Sequence, residues 1–137
     1  TRKESSAASD VYKRQILTPH IGGSTLEAQK SIGQFVSQRL EDYWFKGSTM
    51  LSVDLPQITL SDIRSNFRIA HLHANLPGVL AKVNHVLGEE NINIAAQALG
   101  TEGEIGYVVT DVAQRPSQKA LDELAAIEGT IRMRVIS

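Results

Sequence analysis

The 137-residue chain has no cysteine, which excludes disulfides and thiolate metal sites and fits a reducing compartment. It has no excess of charge either. Fourteen Lys and Arg stand against 15 Asp and Glu, a formal net charge of −1, and the cations are scattered, so no basic field is offered to nucleic acid or to a membrane surface. No apolar run is long enough to cross a bilayer, and the N-terminus lacks the apolar core of a signal peptide. The expected location is the cytoplasm. No Gly-x-Gly-x-x-Gly follows a strand, so the chain carries no dinucleotide fingerprint of its own. With 42% hydrophobic and 21% charged residues, it can bury one modest core, or one small domain with an appendage.

What is present is organised around His71-Leu72-His73-Ala74-Asn75-Leu76-Pro77-Gly78-Val79-Leu80. Phe67 to Ala74 alternates, which predicts a strand with Phe67, Ile69, His71 and His73 on one face. Leu76-Pro77-Gly78 breaks it. Val79, Leu80, Val83, Val86 and Leu87 then fall at helical spacing, with Asn75 and Pro77 suited to the cap and first turn. A strand feeding a helix through a short loop aims free N–H groups at whatever lies beyond the loop, a setting for an anion.

Residues 1–15 are polar and aperiodic, and are expected to be a disordered, non-native leader resembling vector read-through. On that expectation the natural sequence upstream is missing. Ile16-Leu17-Thr18-Pro19-His20-Ile21-Gly22-Gly23 reads as a short apolar strand cut off by Pro19. Ser24-Thr25-Leu26-Glu27 reads as a capping box, with the Ser24 hydroxyl accepting from the Glu27 N–H. Ala28, Ile32, Phe35, Val36, Leu40 and Tyr43 follow on one helical face that runs to about Phe45 and stops near Gly47. Nothing later in the chain obviously covers that face. Residues 48–66 read as a linker. Beyond the central strand and helix, residues 92–100 and 105–112 predict two strands around a turn, Pro116-Ser117 opens a second helix, and residues 130–136 alternate as a last strand. The order strand, helix, strand, strand, helix, strand predicts an α+β, ferredoxin-like fold with an antiparallel sheet and both helices on one side.

Two separate segments carry a resemblance. Residues 16–29 resemble the region around the catalytic histidine of NAD-dependent 2-hydroxyacid dehydrogenases. The stretch from His71 to Leu80, with Asn91-Ile92-Asn93-Ile94-Ala95-Ala96-Gln97 and Gly106-Tyr107-Val108-Val109, resembles the serine-binding ACT domain. In this order and with this spacing they resemble the C-terminal end of the D-3-phosphoglycerate dehydrogenase family. The resemblance implies a truncated α/β dehydrogenase region over residues 16–47 and an ACT domain over 67–137. It also implies NAD as cofactor, homo-oligomers joined through ACT domains, and L-serine as an allosteric ligand. The fragment alone is expected to be inactive. One departure is plain: the family's second Gly pair, just before the ACT strand, is replaced by Ser65-Asn66, which leaves Gly22-Gly23 as the matching hinge.

Oxidising a secondary alcohol needs a base for the hydroxyl proton, and imidazole titrates closest to working pH. The resemblance gives that role to His20. It gives cofactor binding to His20, Ile21, Gly22 and Gly23, the glycines admitting close backbone approach. Taken alone, His20 is an ordinary loop residue and the Gly pair an ordinary turn. The resemblance gives serine binding to His73, Asn75 and Asn93, whose side chains both donate and accept. Taken alone, Asn75 is a helix cap and Asn93 a turn residue. His71 reads as structural or interfacial and His85 as a solvated helix residue. The two close histidines have no third ligand at suitable spacing, so no metal is expected. The alternative reading is a stand-alone ACT amino-acid-binding module. The strand from Phe67 to Ala74 is expected at a sheet edge, where self-pairing across a two-fold axis would bring Asn93 of one copy to His73 and Asn75 of another.

Overall fold

The computed structural model describes residues 22–60 and 67–137, so His20, Ile21 and the Ser65-Asn66 departure lie outside the described residues. The chain divides into two compact units, residues 1–34 and 35–137. Helix α1 spans Leu26–Lys46. Its start falls one residue later than the capping box implied. Thr25, not Ser24, is the cap: its Oγ1 accepts from the Ala28 N–H at 3.1 Å. Two neighbouring hydroxyls were available, and the cap is the one that reaches the amide three residues into the helix. α1 ends as glycine allows. Gly47 takes φ +67°, the Gly47 N–H donates to the Tyr43 carbonyl and the Ser48 N–H to the Asp42 carbonyl, each at 3.1 Å. No residue of α1 is buried, and Ile32, Phe35, Val36, Leu40, Trp44 and Phe45 are all exposed.

The larger unit contains the expected βαββαβ order. It comprises β1 Phe67–Ala74, α2 Val79–Glu89, β2 Ile94–Glu102, β3 Ile105–Val112, α3 Gln118–Ala126 and β4 Thr130–Ile136. The sheet is antiparallel throughout, in the order β2-β3-β1-β4. Both helices lie on one face, where Ile69 and Val112 pack with Val83 and Leu87 of α2 and Leu124 of α3. α3 opens on Ser117, whose hydroxyl accepts from the Ala120 N–H.

The expectation that β1 lies at an edge is wrong. β1 is interior, paired with β3 on one side and β4 on the other. The reason is burial on both faces: Arg68, Ile69, Ala70 and His71 are consecutive, and none exceeds 3% exposure. Two-sided burial marks a central strand, and alternation read along one face hides it. Among the described residues the free edges are β2 and β4.

The second sheet face is also covered. Ala70, Tyr107, Val109 and Ile136 pack against Ile58, which belongs to the segment after α1. That segment is a loop closed by Thr49. Thr49 Oγ1 donates to the Pro56 carbonyl at 2.6 Å and accepts from the Ile58 N–H at 2.9 Å, while the Thr49 N–H donates to the Ile58 carbonyl. Beside Ile58, the sheet holds the end of α1 by its carbonyls. Arg68 Nη1 donates to the Lys46 carbonyl at 2.7 Å, Tyr107 Oη to the Gly47 carbonyl at 2.8 Å, and Arg134 Nη2 to the Tyr43 carbonyl. The Lys46 carbonyl is one that a helix end leaves without an intrahelical partner, the Tyr43 carbonyl is shared with the Gly47 N–H, and the two guanidiniums sit at the negative end of the helix dipole. Arg134 also lies 4.4 Å from the centroid of the Tyr43 ring.

Arg68 is fully buried, and its charge is met by Asp111, directly opposite on β3. Nε donates to Oδ1 at 2.5 Å and Nη2 to Oδ2 at 2.9 Å, a bidentate pair. Removing one partner of such a pair strands the other charge. Asp111→Ala is expected to cost about 3 to 5 kcal/mol in urea unfolding. A loss under about 1 kcal/mol would show that the pair is not desolvated in solution.

Candidate functional site

The site is built where β1 ends. His73 shares the helix-side face with Ile69 and His71 and is 3% exposed. Its register partner on β3 is Gly106. Nδ1 lies 2.7 Å from the Ala74 carbonyl, an atom that only accepts, so Nδ1 carries the proton. In the neutral ring Nε2 is then a bare acceptor, buried and without a hydrogen-bond partner among the described residues. His71 has the opposite tautomer. The Thr130 hydroxyl donates to the Leu124 carbonyl at 3.3 Å, so its oxygen accepts from His71 Nε2–H at 2.8 Å, and Nδ1 is the bare nitrogen. The two ring centroids are 5.4 Å apart.

Beyond Ala74 the chain is stitched to the β2–β3 hairpin. The Asn75 N–H donates to the Glu104 carbonyl at 2.8 Å, and Asn75 Nδ2 to the Gly103 carbonyl at 3.0 Å. An open cavity of about 570 Å³ is lined by Ala74, Asn75, Leu76, Gly103, Glu104, Ile105 and Ile131. Asn75 is therefore on the cavity wall, with Oδ1 left to accept. His73 lies one residue behind the wall.

Asn75 does not cap α2. The N-cap is Gly78, at φ +87° and with no side-chain cap bond. The free N–H groups expected from Asn75 to Val79 are fewer than the sequence suggested. Asn75, Leu76 and Val79 already donate within the chain, and Pro77 has no N–H. The donors that remain are Gly78 and the first turn of α2.

Asn93 is not at this cavity within one chain. It is exposed beside the far end of β3, where its carbonyl accepts from the Ala113 N–H at 3.2 Å. β3 separates it from Asn75 by about 25 Å at strand rise. Gly22 and Gly23 are exposed. Among the described residues a Cβ would meet nothing within 4 Å at Gly22 and only Ile32 Cδ1, at 3.9 Å, at Gly23, so no close approach among them demands glycine there. The described residues do not form a dinucleotide cradle. Residues that the sequence reading passed over are Arg68, Asp111 and Tyr107 around the α1 end and Gly106 under His73. Their signals were a charge inside each of two apolar strands and a glycine near the start of a β-branched one.

With that geometry in place, the relatives can be named. Residues 69–132 match the family model described as AHAS small subunit-like ACT domain. This segment is an ACT domain. Outside it as well as within, the chain has homologues named D-3-phosphoglycerate dehydrogenase. It is 48% identical over 125 residues to the one from Haemophilus influenzae, covering 91% of this chain and 30% of that protein. It is 45% identical over 127 residues to that of Escherichia coli K12, covering 91% and 31%. The chain thus spans about 30% of the length of the curated relatives it matches. The ACT domain from GTP pyrophosphokinase of Chlorobium tepidum superposes with a TM-score of 0.46 at 14% identity, covering 51% of this chain and 95% of that one.

In the ACT domain, burial holds the His71 pKa down at about 4 from its ordinary 6.5, and the neighbouring His73 adds to the effect. Between those values the unfolded chain binds the proton and the folded chain does not. His71 therefore contributes stability that is complete above pH 6.5 and is lost as pH falls toward 4, about 2 kcal/mol of it between pH 7 and pH 5. His71→Gln is expected to flatten the pH slope of urea stability over that interval by this amount. An unchanged slope would show that His71 protonates freely in the folded domain.

Proposed function

We propose that this chain joins the end of a dehydrogenase catalytic region to the L-serine-sensing domain of an NAD-dependent D-3-phosphoglycerate dehydrogenase. On this reading residues 16–47 belong to the catalytic region, 48–66 connect, and 67–137 sense. The observation that carries it is the 48% identity over 125 residues, which extends well past the ACT segment. The exposed apolar side chains of α1 support the same reading, because a stand-alone sensor has no use for them. The activity of the whole enzyme is the oxidation of 3-phosphoglycerate to 3-phosphohydroxypyruvate, with NAD taking the hydride. His20 takes the hydroxyl proton, and Ile21, Gly22 and Gly23 lie beside the cofactor. The place of action is the cytoplasm; among the described residues no helix is long and apolar enough to cross a membrane.

L-Serine brings a carboxylate, an ammonium and a hydroxyl. The cavity at the end of β1 has Asn75 Oδ1 and Glu104 as acceptors on its wall and His73 one residue behind it, and the carboxylate falls to the first-turn N–H groups of α2, which follow Leu76 in the chain. Asn93 joins it from a second copy. With β1 interior, the strand that pairs between copies is the free edge β2. Antiparallel self-pairing centred near Ala98 sets Asn93 of one copy opposite Gly103 of the other, the residue that Asn75 holds. Serine bound there bridges the copies. Its binding energy then acts on β1 and β3, the strands from which Arg68 and Tyr107 grip the end of α1.

Calorimetry and sedimentation on the 137-residue chain test the sensing half. Serine should bind and favour a dimer, and Asn93→Ala should weaken binding about tenfold or more with little change in thermal stability. An unchanged isotherm for Asn93→Ala would sink the shared site. In the complete enzyme, His20→Ala should lower turnover about a hundredfold or more, and near-normal turnover would place the base elsewhere.

A further inference from the structure

Gly106 and the glycines of the turns are glycine for different reasons. Gly78 and Gly103 have φ of +87° and +56° and open space where a Cβ would stand, so their requirement is conformational. Gly106 lies in β3 outside the left-handed region, a conformation any residue adopts. Space is what it lacks: a Cβ there would stand 2.3 Å from His73 Cε1, 2.8 Å from Nε2 and 2.9 Å from Nδ1. The His73 imidazole occupies the volume that a β-carbon on the opposing strand would fill.

We infer that Gly106 is a positioning residue for the ligand site, because its missing side chain lets His73 lie across β3 in the one pose that leaves Nε2 as a bare acceptor. This rests on the reading of His73 as a serine-binding residue. Three facts support it. The ring cannot yield by a small shift, because three of its atoms would be contacted at once and it is buried at 3% exposure. Its Nδ1–H is spent on the Ala74 carbonyl, which ties the tautomer to the pose. The remaining nitrogen has no partner among the described residues, although a buried acceptor ordinarily finds one. A hydroxyl or ammonium donor that reached it from the cavity, whose wall begins at the next residue, would satisfy it. Any side chain at position 106 would turn the ring out, break the Nδ1 bond and free the tautomer.

The test is histidine ring ¹⁵N–¹H spectroscopy of the 137-residue chain, with His73→Ala assigning the His73 signals, combined with L-serine calorimetry. In the wild-type chain His73 should show a protonated Nδ1 and a bare Nε2. In Gly106→Ala that signature should give way to the tautomeric mixture of a solvated imidazole, and serine affinity should fall about tenfold or more. Urea midpoints supply a rescue. Gly106→Ala should lower the midpoint in the wild-type chain but not in His73→Ala, where the clashing ring is gone. Should Gly106→Ala fail to fold, a folded His73→Ala/Gly106→Ala variant would meet the same expectation. The inference is overturned if Gly106→Ala keeps the Nδ1–H signature, or lowers the midpoint equally in both backgrounds. A wild-type chain that shows the signature yet binds no serine would overturn the serine reading and leave the positioning of His73 standing.

Discussion

A buried guanidinium is tolerable only when its charge and its donors are met, and Arg68 meets both conditions by tying three pieces of chain together. It sits on β1, binds Asp111 on β3 through two nitrogens, and gives a third to the last turn of α1. No apolar residue at that position would serve the same purpose, because hydrophobic packing has no direction and would not select one carbonyl at the end of a helix. One side chain accordingly ties the register of the central strands to the seat of α1. Tyr107 and Arg134 extend the arrangement along the helix end, and burial pushes the Tyr107 hydroxyl up to about 12, which keeps it a donor at any working pH.

The two faces of the sheet therefore do different work. On the helix side, an apolar cluster of Ile69, Val83, Leu87, Val112 and Leu124 makes the domain stable, and two histidines interrupt it near the end of β1. On the other side, a thinner cluster around Ile58, Ala70 and Tyr107 holds the segment that leads away from α1. β1 and β3 belong to both faces. On the proposed reading, a ligand that draws on the ends of these strands would act on the same backbone that anchors the helix end from the other face.

The interior place of β1 alters how assembly must work. A central strand has no free hydrogen-bonding row, so on the proposed reading pairing between copies falls to β2, an edge strand with no fully buried residue. The same fact accounts for Asn93. Within one chain it stands at the opposite end of β3 from the cavity, and only a second copy laid along β2 returns it there. In this reading, assembly completes the site.

Much of this was legible along the chain. The order of strands and helices followed from hydrophobic period, the helix ends from Gly47 and Ser117, and the helix-side core from Ile69, Val83, Leu87 and Leu124, because each depends on neighbours three or four residues away. The kinship also followed from short runs around His20 and His73. What sequence could not decide was anything set by residues far apart. The release of Asn75 from capping α2 turned on its partner at Gly103, 28 residues along the chain. Arg68 can be buried in the central strand because it meets Asp111, 43 residues away in the chain. Gly106 reads as one more small residue until His73 is laid across it. Local pattern determined which elements exist; which strands pair, which charges cancel and where an imidazole finds room were decided by the tertiary structure, since these depend on distances that only packing creates.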